Sequence, residues 1–133
     1  MGDIKQIVTF NASPIEVYDV LMDSHKHAHF TGDSAEISKE VGGKFKTYGG
    51  FAEGENLELI PGKLIVQTWR ASDWPIGHYS TIRFEFKEVF GVGGKIKTKL
   101  TFTQENVPED FYSDIDEGWK QFYWNNMKNS FRW

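Results

Sequence analysis

Six short segments between Ala35 and Gln104 alternate apolar and polar residues, and each is closed by glycine, proline or asparagine. "AEISKE" ends at Gly42-Gly43, "KFKTYGGF" at "EGEN" and "NLELI" at "PGK". "KLIVQTWRA" ends at "SDWPIG", "HYSTIRFEFKEV" at "FGVGG" and "KIKTKLTFTQ" at "NVP". Alternation of period two sends successive side chains to opposite faces of a strand, and short connections join neighbours antiparallel rather than through crossover helices. The pattern predicts an antiparallel meander. In the last two segments the faces can be read directly. Ile82, Phe84 and Phe86 oppose Thr81, Arg83, Glu85 and Lys87, while Ile96, Leu100 and Phe102 oppose Lys95, Lys97, Lys99 and Thr101. A sheet with one apolar and one wet face is covered on one side only.

The flanks supply the cover. Ile4 to Phe10 reads as a further strand, with Ile4, Val8 and Phe10 on one face. In "SPIEVYDVLM", Ser13 is a natural N-cap, Pro14 suits the first helical position, and Glu16 completes a capping box. Ile15, Tyr18, Leu21 and Met22 form its apolar stripe. Asp23 and Ser24 open a second short helix that closes near Gly32. In "SDIDEGWKQFYWNNMKNSF", Ile115, Trp119, Phe122, Tyr123, Met127 and Ser130 recur at helical spacing, with Ser113 or Asp114 as cap. Acids precede Lys120 and Lys128, the order the helix dipole favours. Gly118 is unfavourable there by about 1 kcal/mol against Ala, which implies a close backbone approach or a helix boundary. The expected fold is α+β: strand, two helices, six strands, long helix. A curved antiparallel sheet of six to seven strands would wrap the C-terminal helix and leave a cavity between them. A length of 133 residues predicts a single domain over 1–133.

Composition removes several functions. With no cysteine there is no disulfide, thiolate zinc site or cysteine nucleophile. "MGDIKQIVTF" carries no signal-type apolar core, Gln6 breaks the myristoylation pattern after Gly2, and no apolar run reaches membrane length. A cytoplasmic location and no membrane partner are expected. Net charge is −4 with no basic patch, which argues against nucleic acid, whose affinity comes from neutralised phosphates. From Glu105 to Glu117 there are six acids and no base, either a solvated helix start or a patch for a basic partner surface.

The chemistry-bearing residues are few. His25 and His29 would share a helical face, with His27 between them, and Asp23 or Asp33 nearby. The plainer reading is a polar helix end, so no metal and no cofactor are expected. Glu58, Arg70 and His78 are the best acid–base candidates, but an Arg70–Glu58 pair satisfying a polar position explains two of them. No nucleophile elbow or phosphate loop occurs, and the chain reads as a non-enzyme. Phe84, Phe86, Leu100, Phe102, Trp119, Phe122 and Tyr123 are expected to face the sheet–helix gap, either lining a pocket for an apolar small molecule or filling it. "TWRASDWPIGHYS" is a hairpin turning on Pro75 and Gly77, with Trp69, Tyr79 and Phe84 packed locally. Trp74 sits at its apex beside Asp73: either an interface anchor or a ring folded back on a neighbouring loop.

"SPIEVYDVLMDSHKHAHFTGDSAEISKEVGGKF", "GENLELIPGKLIVQTWR", "WPIGHYSTIRFEF", "TFTQENVP" and "GWKQFYWNNMKNSF" together resemble one family, in order and without large gaps from Ile7 to Phe131. The chain resembles the C-terminal domain of the activators of the heat-shock protein 90 ATPase, within the helix-grip superfamily of START and birch-pollen-allergen type. The resemblance implies a co-chaperone domain that docks on a heat-shock protein 90-type chaperone and helps its dimer reach the closed, ATP-hydrolysing state. In the two-domain activators a separate N-terminal domain supplies most of the stimulation, through a loop motif that this chain lacks. The resemblance therefore carries binding over more directly than activation. The contact residues expected are Asp73, Trp74, Pro75 and His78 on the hairpin, with Asp110 and Asp114 from the acidic segment.

Overall fold

The computed structural model describes residues 2–131. Strand β1 (Gly2–Phe10) leads into helices α1 (Pro14–Met22) and α2 (Ser24–Thr31). Six strands follow: β2 (Glu36–Ile37), β3 (Lys44–Thr47), β4 (Ala52–Ile60), β5 (Leu64–Ala71), β6 (Ser80–Phe90) and β7 (Ile96–Val107). A continuous C-terminal helix then runs through α3 (Tyr112–Gly118), a π-helical stretch (Trp119–Trp124) and α4 (Asn125–Ser130). The strands form one seven-stranded sheet ordered β1-β7-β6-β5-β4-β3-β2, every pair antiparallel. This is the α+β helix-grip arrangement expected. The meander accounts for six neighbours in sequence order, and β1 closes the far edge against β7.

Local chemistry explains the helix ends. Ser13 Oγ accepts from the Glu16 N–H, and the Ser13 N–H donates to Glu16 Oε1 at 3.1 Å, a complete capping box. Asp23 caps α2 by accepting from the Lys26 N–H at 3.0 Å, and Gly32 ends it at φ 75°. One detail of α1 differs from expectation. Ile15 is exposed, while Val17, Tyr18, Val20, Leu21 and Met22 are buried. The helix is rotated so that Tyr18 meets Phe86 edge-on at 5.8 Å, which carries Ile15 out beside the β4–β5 turn at Gly62.

The C-terminal helix differs more. No side chain caps its start, so neither Ser113 nor Asp114 plays that part. Gly118 lies inside the helix, and α geometry gives way to π geometry at the next residue. No backbone crowds it: a methyl added there would meet only the helix's own Phe122 ring, at 3.9 Å. The π stretch inserts one extra residue into the turn. Both Tyr123 and Trp124 therefore face the sheet, and Phe122, expected on the apolar stripe, is 53% exposed. Trp119 and Trp124, five apart and so one π turn apart, stack at 5.6 Å and 22°.

The grip is tied by two glutamines from adjoining strands, Gln6 on the edge strand β1 and Gln104 on its neighbour β7. Trp119 Nε1 donates to Gln104 Oε1 at 2.8 Å, and Gln104 Nε2 donates to Ser80 Oγ, whose hydroxyl donates to the Trp69 carbonyl. Trp124 Nε1 donates to Gln6 Oε1 at 2.6 Å, while Gln6 Nε2 reaches Asp116. Both indole N–H groups are thus satisfied where they are buried, as a buried donor must be to avoid a penalty of about 1–3 kcal/mol.

Candidate functional site

A cavity of about 460 Å³ opens between the first half of the C-terminal helix and the β3–β5 end of the sheet. Its helix wall is Ile115, Gly118, Trp119, Phe122 and Tyr123, and its sheet wall is Ala52 and Trp69. Tyr48 and Phe51 close it from the β3–β4 turn, and Phe111 from the turn before the helix. The volume lies in the range of small-molecule sites. Its charged lining residues are three carboxylates, Asp33, Asp73 and Asp114, all exposed.

The sheet wall forms because "YGGF" makes a tight turn. Tyr48 holds φ 53°, a strained conformation for a bulky residue, followed by Gly49 at φ 64° and Gly50 at φ 95°. The strain is held by a contact across the cavity: the Tyr48 hydroxyl donates to the Phe122 carbonyl, which also accepts from Asn126 Nδ2 at 3.1 Å. Burial, with the nearby charge of Asp33, pushes the Tyr48 hydroxyl up to about 12, so it remains a donor at neutral pH. Tyr48 also meets Tyr123 and Phe122 edge-on, at 5.6 and 5.9 Å.

Behind this wall lies a small polar network. The Tyr123 hydroxyl sits 3.2 Å from His27 Nε2 and 3.4 Å from Thr47 Oγ1, and all three residues are buried. Desolvation drives the His27 imidazole down to about 4, so it is neutral in the folded protein, and burial raises the Tyr123 phenol. His27 packs on Phe30 and Tyr123 in the core while His25 and His29 are exposed on the opposite side of α2. Among the described residues no cluster of three or more His, Asp or Glu is arranged to hold a metal ion.

The expected cavity residues divide into two groups. Trp119, Phe122 and Tyr123 line the large cavity. Phe84, Phe86, Leu100 and Phe102 do not, and this corrects the expectation for them. Leu100 and Phe102 are fully buried, Phe84 packs on Phe102 at 5.1 Å, and Phe86 lies under Tyr18. Phe84 borders only a gap of about 20 Å³, room for a single water. The π turn drops Trp119 and Trp124 onto these rings and fills the centre, so the open space lies towards the helix start. Sequence reasoning missed Asp33, Tyr48, Phe51, Ala52, Trp69, Phe111, Ile115 and Gly118 as lining residues; the aromatic pair flanking Gly49-Gly50 was the available signal.

The hairpin residues also move from their expected roles. Trp74 is a correction: it is 3% exposed, folded back against Trp69 at 5.3 Å and His78 at 5.7 Å, and offers no free ring to a partner. Arg70 holds that fold, its Nη2 donating to the carbonyls of Trp74 and Pro75 at 2.8 and 3.3 Å. The exposed apolar side chain at the apex is Ile76, beside exposed Pro75 and Asp73. Tyr79, expected to pack inward, is partly exposed under the Arg70 guanidinium. His78 Nε2 sits 2.8 Å from the Asn106 carbonyl. Asp73 and Asp114, selected from different segments, meet at the cavity mouth, while Asp110 is exposed in the turn Glu109–Phe111 ahead of the helix. The acid–base trio is not assembled. Arg70 pairs with Glu53 at 3.6 Å rather than with Glu58, because Glu53 is its cross-strand neighbour and Glu58 lies opposite Val66. None of Glu58, Arg70 and His78 lines the cavity.

A curved antiparallel sheet closed on a C-terminal helix, with an aromatic cavity at one end of the grip, defines a helix-grip protein. Residues 11–132 match the family described as Activator of Hsp90 ATPase homolog 1-like protein, and the chain belongs to that family. It is 37% identical over 122 residues to the activator of 90 kDa heat shock protein ATPase homolog of Dictyostelium discoideum, and 32% identical over 123 residues to homolog 1 of Homo sapiens. Each match covers 92% of this chain but only 31% and 35% of the relative, so the chain spans about a third of their length. Among solved structures, an HSP90 activator from Plasmodium falciparum superposes with a TM-score of 0.85 at 26% identity, covering 96% of this chain and 94% of that one. The Aha1 dimer from Colwellia psychrerythraea has a TM-score of 0.80 at 23% identity, covering 98% and 96%, and shares the fold.

Proposed function

We propose that the chain acts as one domain, residues 1–133, that binds a heat-shock protein 90-type chaperone and modulates its ATPase and closure cycle without itself catalysing a reaction. The observation that carries this reading is the family match along residues 11–132. A co-chaperone of this kind works by differential affinity, shifting the chaperone towards the conformation it binds more tightly. Its docking face is the surface around the cavity mouth: Asp73, Pro75 and His78 on the hairpin, with Asp110 and Asp114 at the helix start. Trp74 serves there as the buried prop that fixes the loop, and Ile76 is the exposed apolar contact. A cytoplasmic setting suits such a partner, and among the described residues no helix is long and apolar enough to cross a membrane.

The test is an amide-shift titration of the labelled chain with the same organism's heat-shock protein 90, with and without an ATP analogue. Nucleotide-dependent shifts around Asp73, Ile76 and Asp114, lost in an Ile76→Asp variant, are the expected result. A spectrum unchanged at high chaperone concentration sinks the reading. A second reading is favoured by the cavity itself: its aromatic lining suits a small apolar ligand held between sheet and helix.

A further inference from the structure

The hairpin that joins β6 to β7 is built unlike the rest of the sheet. On the core-facing side of these strands Phe86 and Leu100 are opposed and buried, but the next apolar pair of that side, Phe90 and Ile96, is exposed. Phe90 is 69% exposed, and Val92, in the turn Val92–Gly94, is 94% exposed. Gly93 and Gly94, at φ 74° and 75°, shape that turn and carry no side chain to shield Val92. Single apolar residues scattered over a surface are ordinary, whereas three on one short turn form a patch. The charge of the same segment is a second, independent observation. From Lys87 to Lys99 there are four lysines and one acid, Glu88, a basic patch hidden within a net charge of −4. Lys87 stands directly opposite Lys99 on the solvent face, both are exposed, and among the described residues neither has an ion-pair partner. Like charges opposed across two strands repel, a local cost that an anionic neighbour offsets. The Lys97 chain lies across the turn, since a methyl group added at Gly91 would come within 2.6 Å of its Cε.

We infer that the β6–β7 hairpin tip docks on an anionic phospholipid surface, with Phe90, Val92 and Ile96 entering the headgroup layer and the flanking lysines meeting the phosphates. None of the three apolar side chains lines the large cavity or the gap beside Phe84, and a projecting turn offers no hollow to a partner's side chains. A bilayer interface closes around such a turn by deforming, whereas a protein needs a pocket already shaped to it. This is contact with a bilayer surface, distinct from spanning it, for which no described helix is long and apolar enough. The tip also stands apart from the chaperone-docking face. That face lies at the start of β6 and the tip at its end, 11 residues and about 35 Å away. Both contacts can be made at once, and the inference does not rest on the chaperone reading.

The test uses the full chain and two kinds of vesicle: phosphatidylcholine alone, and phosphatidylcholine with phosphatidylserine in about a two-to-one ratio. The unlabelled chain should co-sediment with the second kind and not with the first. Affinity should weaken as salt rises, and should fall about tenfold in a Lys87→Gln, Lys99→Gln double variant. That variant removes a like-charge pair from an exposed face, so its loss of binding is not a loss of fold. The chain has no cysteine, so Val92→Cys and Ile76→Cys variants each carry a single polarity-sensitive dye, on exposed turns at opposite ends of the molecule. The dye at position 92 should shift to the blue on the phosphatidylserine vesicles, and the dye at 76 should not move. Failure to sediment with either vesicle, equal binding to both, or full affinity in the lysine variant overturns the inference. A response at 76 in place of 92 overturns it as well, since another surface is then in contact. A shift at 92 of the same size with soluble polyglutamate and no lipid makes an acidic protein the partner and removes the lipid assignment.

Discussion

His27 carries an acid-sensitive liability into the core. Its ring is buried and neutral, held down to about 4 from an ordinary 6.5 by desolvation, while the same imidazole in the unfolded chain titrates at its ordinary value. Between those two values the unfolded chain binds a proton that the folded one refuses. The stabilisation is therefore complete above pH 6.5 and is lost progressively as pH falls towards 4, by up to about 3 kcal/mol. Urea unfolding at neutral pH and at pH 5 should show this loss, and a His27→Gln variant should lose markedly less between the two. Equal slopes for the two proteins would mean that the imidazole is already charged, or solvated, in the fold. The residue scale is also where sequence reading was weakest. The triplet of histidines looked like a metal question, but one residue points inward at Tyr123 and the other two outward. Nothing in the local pattern distinguishes them. For Trp74 the sequence left two alternatives, anchor or folded-back ring; the ring is buried against Trp69 and its loop held by Arg70, both just upstream, and the choice between the two depends on how the hairpin loop curls back.

At the scale of elements, period and punctuation were enough to place all seven strands, and the capping box placed α1. Those signals are local, and local chemistry produces them. The π stretch is not local. It exists because two tryptophans must reach Gln104 and Gln6 from one helix, and that demand is visible only once β1 and β7 lie side by side. It decides which rings fill the centre and which border the open space, so Phe84, Phe86, Leu100 and Phe102 of the sheet fall in the packed core while Trp119, Phe122 and Tyr123 of the helix lie along the cavity. Gly118 gives this element a test. The position is helical, lines the cavity and has room for a methyl group, so Gly118→Ala should stabilise the protein by about 1 kcal/mol. A thermal midpoint raised by about 4 °C is expected. An unchanged or lower midpoint would show that the glycine answers a backbone need at the α-to-π transition.

For the whole molecule, the core is one connected cluster that draws on both ends of the chain: Phe10 meets Trp124 at 6.3 Å and Phe131 at 6.1 Å, and β1 pairs along β7. Among the described residues no group of elements has a core of its own. Unfolding followed by tryptophan fluorescence and by far-ultraviolet circular dichroism should therefore give coincident transitions. A tryptophan signal lost well before the sheet would show that the C-terminal helix undocks as a separate unit. The same connectivity has a consequence during synthesis. The helix that fills the grip leaves the ribosome after all seven strands, and translation proceeds at about 5–20 residues per second. For seconds, a nascent sheet would have only α1 and α2 against this face, with Phe84 and Phe102 still lacking the Trp119 and Trp124 rings that complete their packing. A sheet built before its last covering helix is thus sticky before it is folded.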